Sequence, residues 1–373
     1  MSKKAPYISL FGLSEAQVAD ELKRFDPALP RYRSTQIYNA LYAKRIRSFD
    51  EMTELPRELR AKLTEAFPIV TPKITHESRS VDGTIKYLFE LADGCTIEAV
   101  HIPSEMRDAH GAARRKTLCL STQVGCPLDC KFCATGTLKL KRDLSVAEII
   151  AQFFEVERSS GETITNVVYM GMGEPLLNYD NVIASLRILT DKKLEILGPK
   201  RITVSTSGFP HEIKAFANEG LGVKLALSLH ATTDDLRTKL MPINKKYHLD
   251  DVISAMEEYY RVTKIPVTYE YILFQGLNDT QADAKRLAKI TRRVPSKVNV
   301  IPFHPIDFTN PKGIAATLHP TSDKTFRTFI DLLKALDVQV MVRSSAGVDI
   351  EAACGQLALS NEPILLHEIA IAE

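Results

Sequence analysis

The chain has 373 residues, 45% apolar and 25% charged, with a formal net charge of +2. That length accommodates one large domain and a smaller one, and the composition is that of an ordinary globular protein. So small a net charge gives no general attraction to nucleic acid or membrane, and any such contact must come from local clusters.

The opening stretch, MSKKAPYISLFGLSEAQ, has no apolar run of signal-peptide length, and no later run could span a bilayer. The expected location is cytoplasmic. Residues 1–75 predict short helices: Ser14–Phe25 and Thr35–Lys44 repeat apolar residues at helical spacing, and Pro56 opens Arg57–Ala66. Lys and Arg outnumber Asp and Glu here by 13 to 9, with Lys44, Arg45 and Arg47 close together. That excess suits either a solvated helical face or contact with RNA. Residues 76–116 predict strands, with Lys86–Leu91 and Thr96–Ile102 forming a hairpin around Ala92-Asp93-Gly94, then a loop over Glu105–Lys116.

From 117 to 358 short apolar runs alternate with helical ones. Strands are predicted at Leu118–Thr122, Asn166–Met170, Ile202–Ser205, Leu225–Leu229, Thr268–Leu273, Val298–Ile301 and Val338–Val342. Helices are predicted at Val146–Glu157, Tyr179–Thr190, His211–Asn218, Asp250–Val262, Gln281–Arg292 and Ser322–Leu336, the first of them opened by a capping box, Ser145 with Glu148. This rhythm predicts an α/β fold whose parallel sheet is covered by helices, either an incomplete (β/α)6-type barrel or a doubly wound sheet. In both, chemistry belongs at the C-terminal strand ends. Residues 359–373 are left as a C-terminal tail.

The loop after the first core strand holds Cys126-Pro-Leu-Asp-Cys130-Lys-Phe-Cys133. Six cysteines in a reducing compartment are thiols, metal ligands or catalysts rather than a disulfide framework. Electron-transfer iron–sulfur clusters take four protein ligands, so three cysteines leave one iron open. A structural zinc needs a fourth Cys or His, and none lies in the loop. At the next strand end stands Gly171-Met-Gly-Glu-Pro175, whose glycines permit close backbone approach to a ligand and whose Glu174 can accept from an ammonium group. Two further strand ends are polar, Val204-Ser-Thr-Ser-Gly208 and Ser228-Leu-His230, and suit ribose, carboxylate or adenine. Cys354 lies past the last strand and Cys119 on the first, so a sheet curling toward closure would bring them to one site; each alone reads equally as a small buried hydrophobe. Cys95, beside the hairpin turn, reads as incidental.

The cysteine run followed by GMGEP resembles the radical S-adenosylmethionine (SAM) superfamily. There the open iron of a [4Fe-4S] cluster holds SAM, and an electron from the cluster cleaves it to a 5′-deoxyadenosyl radical. With LCLSTQVGCPLDCKFC, YMGMGEPL, VSTSG, LALSLHA, VNVIPF and RSSAGVDIEAACGQLA, the chain is similar, from about residue 85 to 358, to the RlmN branch of the RlmN/Cfr RNA methyltransferases. The helical N-terminal region also fits that branch.

The resemblance implies methylation of C2 of an adenine in 23S rRNA, and of an adenine beside the anticodon of certain tRNAs. It makes Cys126, Cys130 and Cys133 the cluster ligands. Gly173, Glu174, Ser205, Ser228, Leu229, His230 and His304 become SAM contacts, with His304 standing where the family usually has Asn. Cys354 would carry the methyl group, Cys119 would release the product through a transient disulfide, and Glu98 would be the base. From its strand alone, Glu98 reads as a solvent-facing carboxylate. The implied partners are 23S rRNA, tRNA and an electron donor such as flavodoxin, with no membrane, for a monomeric chain. Arg114-Arg115-Lys116, Lys139 with Lys141-Arg142, Lys200-Arg201 and Lys245-Lys246 are candidate phosphate contacts. The competing functions are Cfr-like methylation at C8 and a non-catalytic iron–sulfur protein that binds RNA.

Overall fold

The computed structural model describes residues 9–104, 106, 113–343 and 345–358. Three helices open the chain: α1 (Glu15–Phe25), α2 (Tyr32–Tyr42) and α3 (Arg57–Ala66). α1 starts in a reciprocal capping box between Ser14 and Gln17, and Pro56 precedes α3 as expected. Next come the strands β1 (Lys73–Arg79), β2 (Ile85–Glu90) and β3 (Thr96–Pro103). The predicted hairpin is β2–β3, but β1 escaped the sequence reading and crosses residue 75, the expected end of the helical region. Its pattern of exposed and half-buried residues, Lys-Ile-Thr-His-Glu-Ser-Arg, has no apolar alternation to announce a strand. Most of the expected loop Glu105–Lys116 lies outside the described residues, as does the tail from 359, while Lys116 itself begins β4 (Lys116–Cys119).

After β4, a small ribbon of β5 (Gln123–Val124) and β6 (Arg142–Asp143) brackets the cysteine loop and the single-turn α4 (Ala134–Thr137). The repeat then runs α5 (Val146–Ser160), β7 (Asn166–Tyr169), α6 (Tyr179–Leu189), β8 (Ile202–Thr206), α7 (Pro210–Asn218) and β9 (Lys224–Ser228). It continues with α8 (Asp234–Leu240), α9 (Leu249–Thr263), β10 (Val267–Leu273), α10 (Gln281–Thr291), β11 (Ser296–Pro302), α11 (Asp323–Ala335) and β12 (Val340–Val342). Every predicted core strand and helix is present; α8 is additional, and the Ser145–Glu148 capping box opens α5.

All ten long strands form one sheet in the order β1-β2-β3-β4-β7-β8-β9-β10-β11-β12. The four strands from β1 to β4 pair antiparallel, and the seven from β4 to β12 pair parallel. Neighbours follow chain order without reversal. Right-handed crossovers that always step the same way put every helix on one face, so the sheet curls into a partial barrel rather than a doubly wound sheet. β12 pairs only with β11, which leaves the barrel open between β12 and β4.

The N-terminal helices dock on α5. Phe11 packs against Phe154 with ring centroids 6.1 Å apart. Gly12 lies so close that an added Cβ would sit 2.9 Å from the Ala147 nitrogen, at a φ of +101°. Arg45 pairs with Glu157 and Arg47 with Glu155, both glutamates being nearly buried on α5. Lys44 pairs with Glu54 at 2.7 Å. The basic cluster of the first 75 residues is therefore spent on ion pairs within the fold, and in Arg45 and Arg47 it welds this region to the barrel.

Candidate active site

A cavity opens at the C-terminal ends of the parallel strands, enclosing about 830 Å³ of atom-free space with its mouth included. That size suits a cofactor-scale ligand. Its wall carries Cys126, Cys130, Cys133, Gly173, Glu174, Ser205, Ser228, His230 and Cys354, so most of the predicted site converges there. Leu229 and His304 do not line it. Leu229 is buried, and its contribution is a backbone carbonyl that accepts from Arg237 Nε at 3.3 Å. His304 is half-buried beyond β11, where desolvation lowers its basicity.

Burial raises the pKa of all three loop cysteines, that of Cys126 to about 12; Cys126 and Cys130 are raised further by their neighbours in the triad, and Cys133 by Cys354. Three mutually repelling thiols in one wall need a strongly positive partner to ionise. Among the described residues no three His, Cys, Asp or Glu side chains gather tightly enough for a single metal ion, as a zinc site requires. A cluster that offers a different iron to each thiolate does not impose that constraint, and these residues fit it.

The glycines of GMGEP permit close packing of the chain on itself. A Cβ on Gly171 would lie 2.7 Å from the Leu120 carbonyl oxygen, and one on Gly173, at φ +100°, 2.6 Å from Gln123 Cβ. This close approach is to the chain's own segment behind β4, and both glycines also line the cavity. Around it Ser121 Oγ donates to the Glu98 carbonyl at 2.5 Å and accepts from Met172 N–H at 2.9 Å, while the Gln152 amide brackets the Ser121 backbone. The cysteine loop is thus fastened to β3, β7 and α5.

Glu174 is buried. One carboxylate oxygen accepts from Ser207 N–H at 2.8 Å and the other from Leu176 N–H at 3.1 Å. Burial raises its pKa and the Ser207 bond works against that rise, which leaves a pre-oriented acceptor in the cavity wall. His230 sits at a left-handed φ of 52°, and its Nδ1 accepts from Ile272 N–H at 3.1 Å. Desolvation lowers its pKa to about 3, so the ring is neutral and carries its proton on Nε2. Its ring stands T-shaped to that of Phe132, with centroids 4.7 Å apart.

Three charged residues, Arg237, Glu270 and Arg343, were missed. Arg237 on α8 is fully buried and donates to the carbonyls of Ser207 (2.6 Å), Ser228 (3.1 Å) and Leu229, and to Asn244 Oδ1 (3.0 Å). It ties the ends of β8 and β9 together. The available signal was a charge one residue from Leu236 and three from Leu240, on an apolar face. Glu270, in the middle of β10, is buried in the cavity wall, accepts from Asn299 Nδ2 at 2.8 Å, and has an Oε2 without a hydrogen-bond partner among the described residues. A carboxylate inside the apolar run Thr268–Leu273 was its signal.

Beside Glu270, Arg343 follows β12 and donates from Nη1 to Met170 Sδ at 3.3 Å. Its guanidinium is held charged first by Cys354, then by Glu270 and Cys119. Cys119 is buried, and its pKa is pushed up to about 12 by desolvation and then by Cys354. The two outlying thiols, from opposite edges of the parallel sheet, therefore share one electrostatic site at the open seam.

Glu98 corrects the reading of it as solvent-facing. It is 1% exposed, with Lys86 Nζ 3.4 Å from Oε1, and Lys86 also reaches the Glu351 carbonyl at 3.5 Å. The pair lies against the segment leading to Cys354 but is not part of the cavity wall. Cys95 stays apart, half-buried at the hairpin turn.

Residues 120–288 match the Radical SAM superfamily, and residues 8–69 match the Ribosomal RNA large subunit methyltransferase N-terminal domain. The chain is 44% identical to the Thermotoga maritima protein named “Probable dual-specificity RNA methyltransferase RlmN”, over 94% of this chain and 97% of that one. The identity to the Streptococcus mutans protein of the same name is 43%, over 88% and 89%. A crystal structure of a radical SAM methyltransferase from Sphaerobacter thermophilus superposes with a TM-score of 0.84 at 39% identity, covering 94% of this chain and 99% of that one. The radical SAM family uses a [4Fe-4S] cluster and SAM, and among the described residues no helix is long and apolar enough to cross a membrane. An α/β partial barrel with a polar cavity at its C-terminal mouth, a helical unit welded to α5 and these relatives lead to one conclusion: the chain belongs to the RlmN family of radical SAM RNA methyltransferases.

Proposed function

We propose that this enzyme methylates C2 of an adenine in 23S rRNA, and an adenine beside the anticodon in tRNA, through a methylated Cys354 and a transient Cys119–Cys354 disulfide. When bound, the cluster and SAM supply a 5′-deoxyadenosyl radical and a methyl group. Cys126, Cys130 and Cys133 hold the cluster. Glu174 accepts from the amino group of SAM, and Ser205, Ser228 and His230 Nε2–H meet its polar atoms.

An adenine C2 is an electron-poor carbon that does not attack a methyl cation donor directly. Cys354 sulfur takes the methyl first, and that carbon, after losing a hydrogen atom, bonds to C2. The adduct returns one electron to the cluster held by Cys126, Cys130 and Cys133, which SAM cleavage leaves one electron short, and gives the C2 proton to Glu98. The Cys119 thiolate then attacks Cys354 sulfur. The S–S bond forms, and the S–C electron pair passes to the former methylene, which takes a proton and leaves as the product methyl. An external reductant then opens the disulfide.

The observation that carries this reading is that Cys354, in the cavity wall beside the cysteine loop, acts on buried Cys119 from 235 residues away in the chain, and that Arg343, also in that wall, feels both thiols. Lys86, with Nζ 3.4 Å from Glu98 Oε1, places a cation beside the proposed base. Mass spectrometry of RNA from a strain lacking the gene and from the same strain restored tests the product: the reading requires a methyl on adenine C2 that returns with the gene. A methyl at C8, or none, contradicts it.

A further inference from the structure

The barrel has a second mouth, at the N-terminal ends of the strands, and it is strongly cationic. Arg115 directly precedes β4, Lys200 and Arg201 directly precede β8, Lys224 is the first residue of β9, and Lys297 is the second of β11. These strands lie close together: the Asn166 amide at the start of β7 donates to the Arg201 carbonyl at 3.4 Å, and Thr203 is in register with Lys224. Side-chain alternation sets the direction of the two lysines. Ser228 lines the catalytic cavity, so Lys224 and Ala226 face the barrel interior with it; Ile301 lines the cavity, so Asn299 and Lys297 do the same. Lys224 and Lys297 thus point into the lower mouth, half-buried, with Arg115, Lys200 and Arg201 exposed around its rim.

None of the five side chains forms a salt bridge among the described residues, although twenty such bridges exist elsewhere. The charges acting most strongly on Lys224 are Lys297, Arg115, Arg201 and Lys200, all cations, and with burial they weaken its hold on the proton. The acid acting on the group from above is Glu270, which feels Lys297. Concentrating five cations at one end of a barrel destabilises the free protein, and an anion supplied from outside relieves it.

We propose that this lower mouth binds the phosphate backbone of the RNA substrate, with Lys200, Arg201 and Lys224 each neutralising a phosphate. The inference rests on the chain acting on RNA. An acidic reductant protein fits less well, because it must approach the cysteine loop at the other end, and seven-residue β10 separates the two mouths by about 23 Å. A folded RNA is large enough to engage both.

The test is binding of a 23S rRNA transcript across a salt series, comparing the intact chain with the triple variant Lys200→Gln, Arg201→Gln, Lys224→Gln. The salt slope of the binding constant should become shallower by about two to three, while SAM binding and thermal unfolding stay as they were. The rim variant Lys200→Gln, Arg201→Gln, with both positions exposed, should lose about one to two of that slope and guards against a folding defect at Lys224. Unchanged slope and affinity in both variants overturn the proposal, as does unchanged RNA binding with slower reduction by flavodoxin. An intact chain that does not bind the transcript at all sinks the RNA-substrate reading, and this one with it.

Discussion

A single neutral imidazole gives the cavity a measurable pH signature. His230 has a folded pKa of about 3 against an ordinary 6.5, so between these values the unfolded chain holds a proton that the native state does not. A depressed pKa contributes stability that is complete above about 6.5 and is lost as pH falls toward 3. Glu174 and Glu270, raised by burial, act in the opposite sense, so the comparison must be with a variant at position 230 alone. His230→Gln removes the titration while retaining an amide that can donate. Denaturant unfolding between pH 6 and 4 should show the intact chain losing about 1.4 kcal/mol per pH unit more than the variant. Parallel pH profiles would mean that His230 is not held neutral.

Residue by residue, the sequence disclosed those whose chemistry is announced by spacing, and concealed those defined by burial. The cysteine triad and Glu174 sit in compact motifs at strand ends. Arg237, Glu270 and Arg343 stand alone, and what matters about them is that the chain closes over them, a property of tertiary packing. Glu98 was misplaced for the same reason: a two-residue alternation shows which face a strand residue occupies, not whether Lys86 and the segment before Cys354 cover that face.

At the level of elements, the N-terminal helices and α5 behave as one packed unit. Arg45 and Arg47 answer glutamates whose burial would otherwise leave them charged and unpaired; the pKa of Glu157 is raised by that burial, and Arg45 opposes the rise. Arg45 is a third exposed, which screens part of the interaction. Replacing Arg45 with Met should therefore cost about 2 kcal/mol, between the values for exposed and buried pairs. The double variant Arg45→Met, Glu157→Gln should recover most of that, because no charge is then stranded. Urea unfolding measures both, and RNA binding should keep its salt slope throughout. If Arg45→Met is as stable as the intact chain and its slope becomes shallower, Arg45 contacts phosphate instead. The same packing means that excising the first 75 residues would expose the apolar face of α5 and cut β1, so charge substitutions at exposed positions are the better probe of RNA contact.

Across the whole molecule, periodicity alone placed seven core strands and six helices, because a parallel sheet buried on both faces writes each strand as an apolar run between amphipathic helices. It could not choose between a partial barrel and a doubly wound sheet, since strand order is not written in any local pattern. The unreversed order settles that, and the curl it produces gives the molecule two chemically different ends. One end gathers thiols, a buried carboxylate and a neutral histidine around a cavity, and the other gathers five cations. The curl also brings β4 and β12, the first and last strands of the parallel portion, toward each other, which is the geometry the proposed pairing of residues 119 and 354 requires.

That partnership is the central claim, and one measurement tests it most directly. Cys119→Ala and Cys354→Ala are each purified from RNA-containing cells and run on denaturing gels, with and without nuclease. Cys119→Ala should carry RNA covalently attached at Cys354, seen as a nuclease-sensitive shift and as an adduct mass on the peptide containing Cys354. Cys354→Ala should carry none and methylate nothing. A Cys119→Ala protein that turns over methylated RNA and shows no adduct would contradict the account.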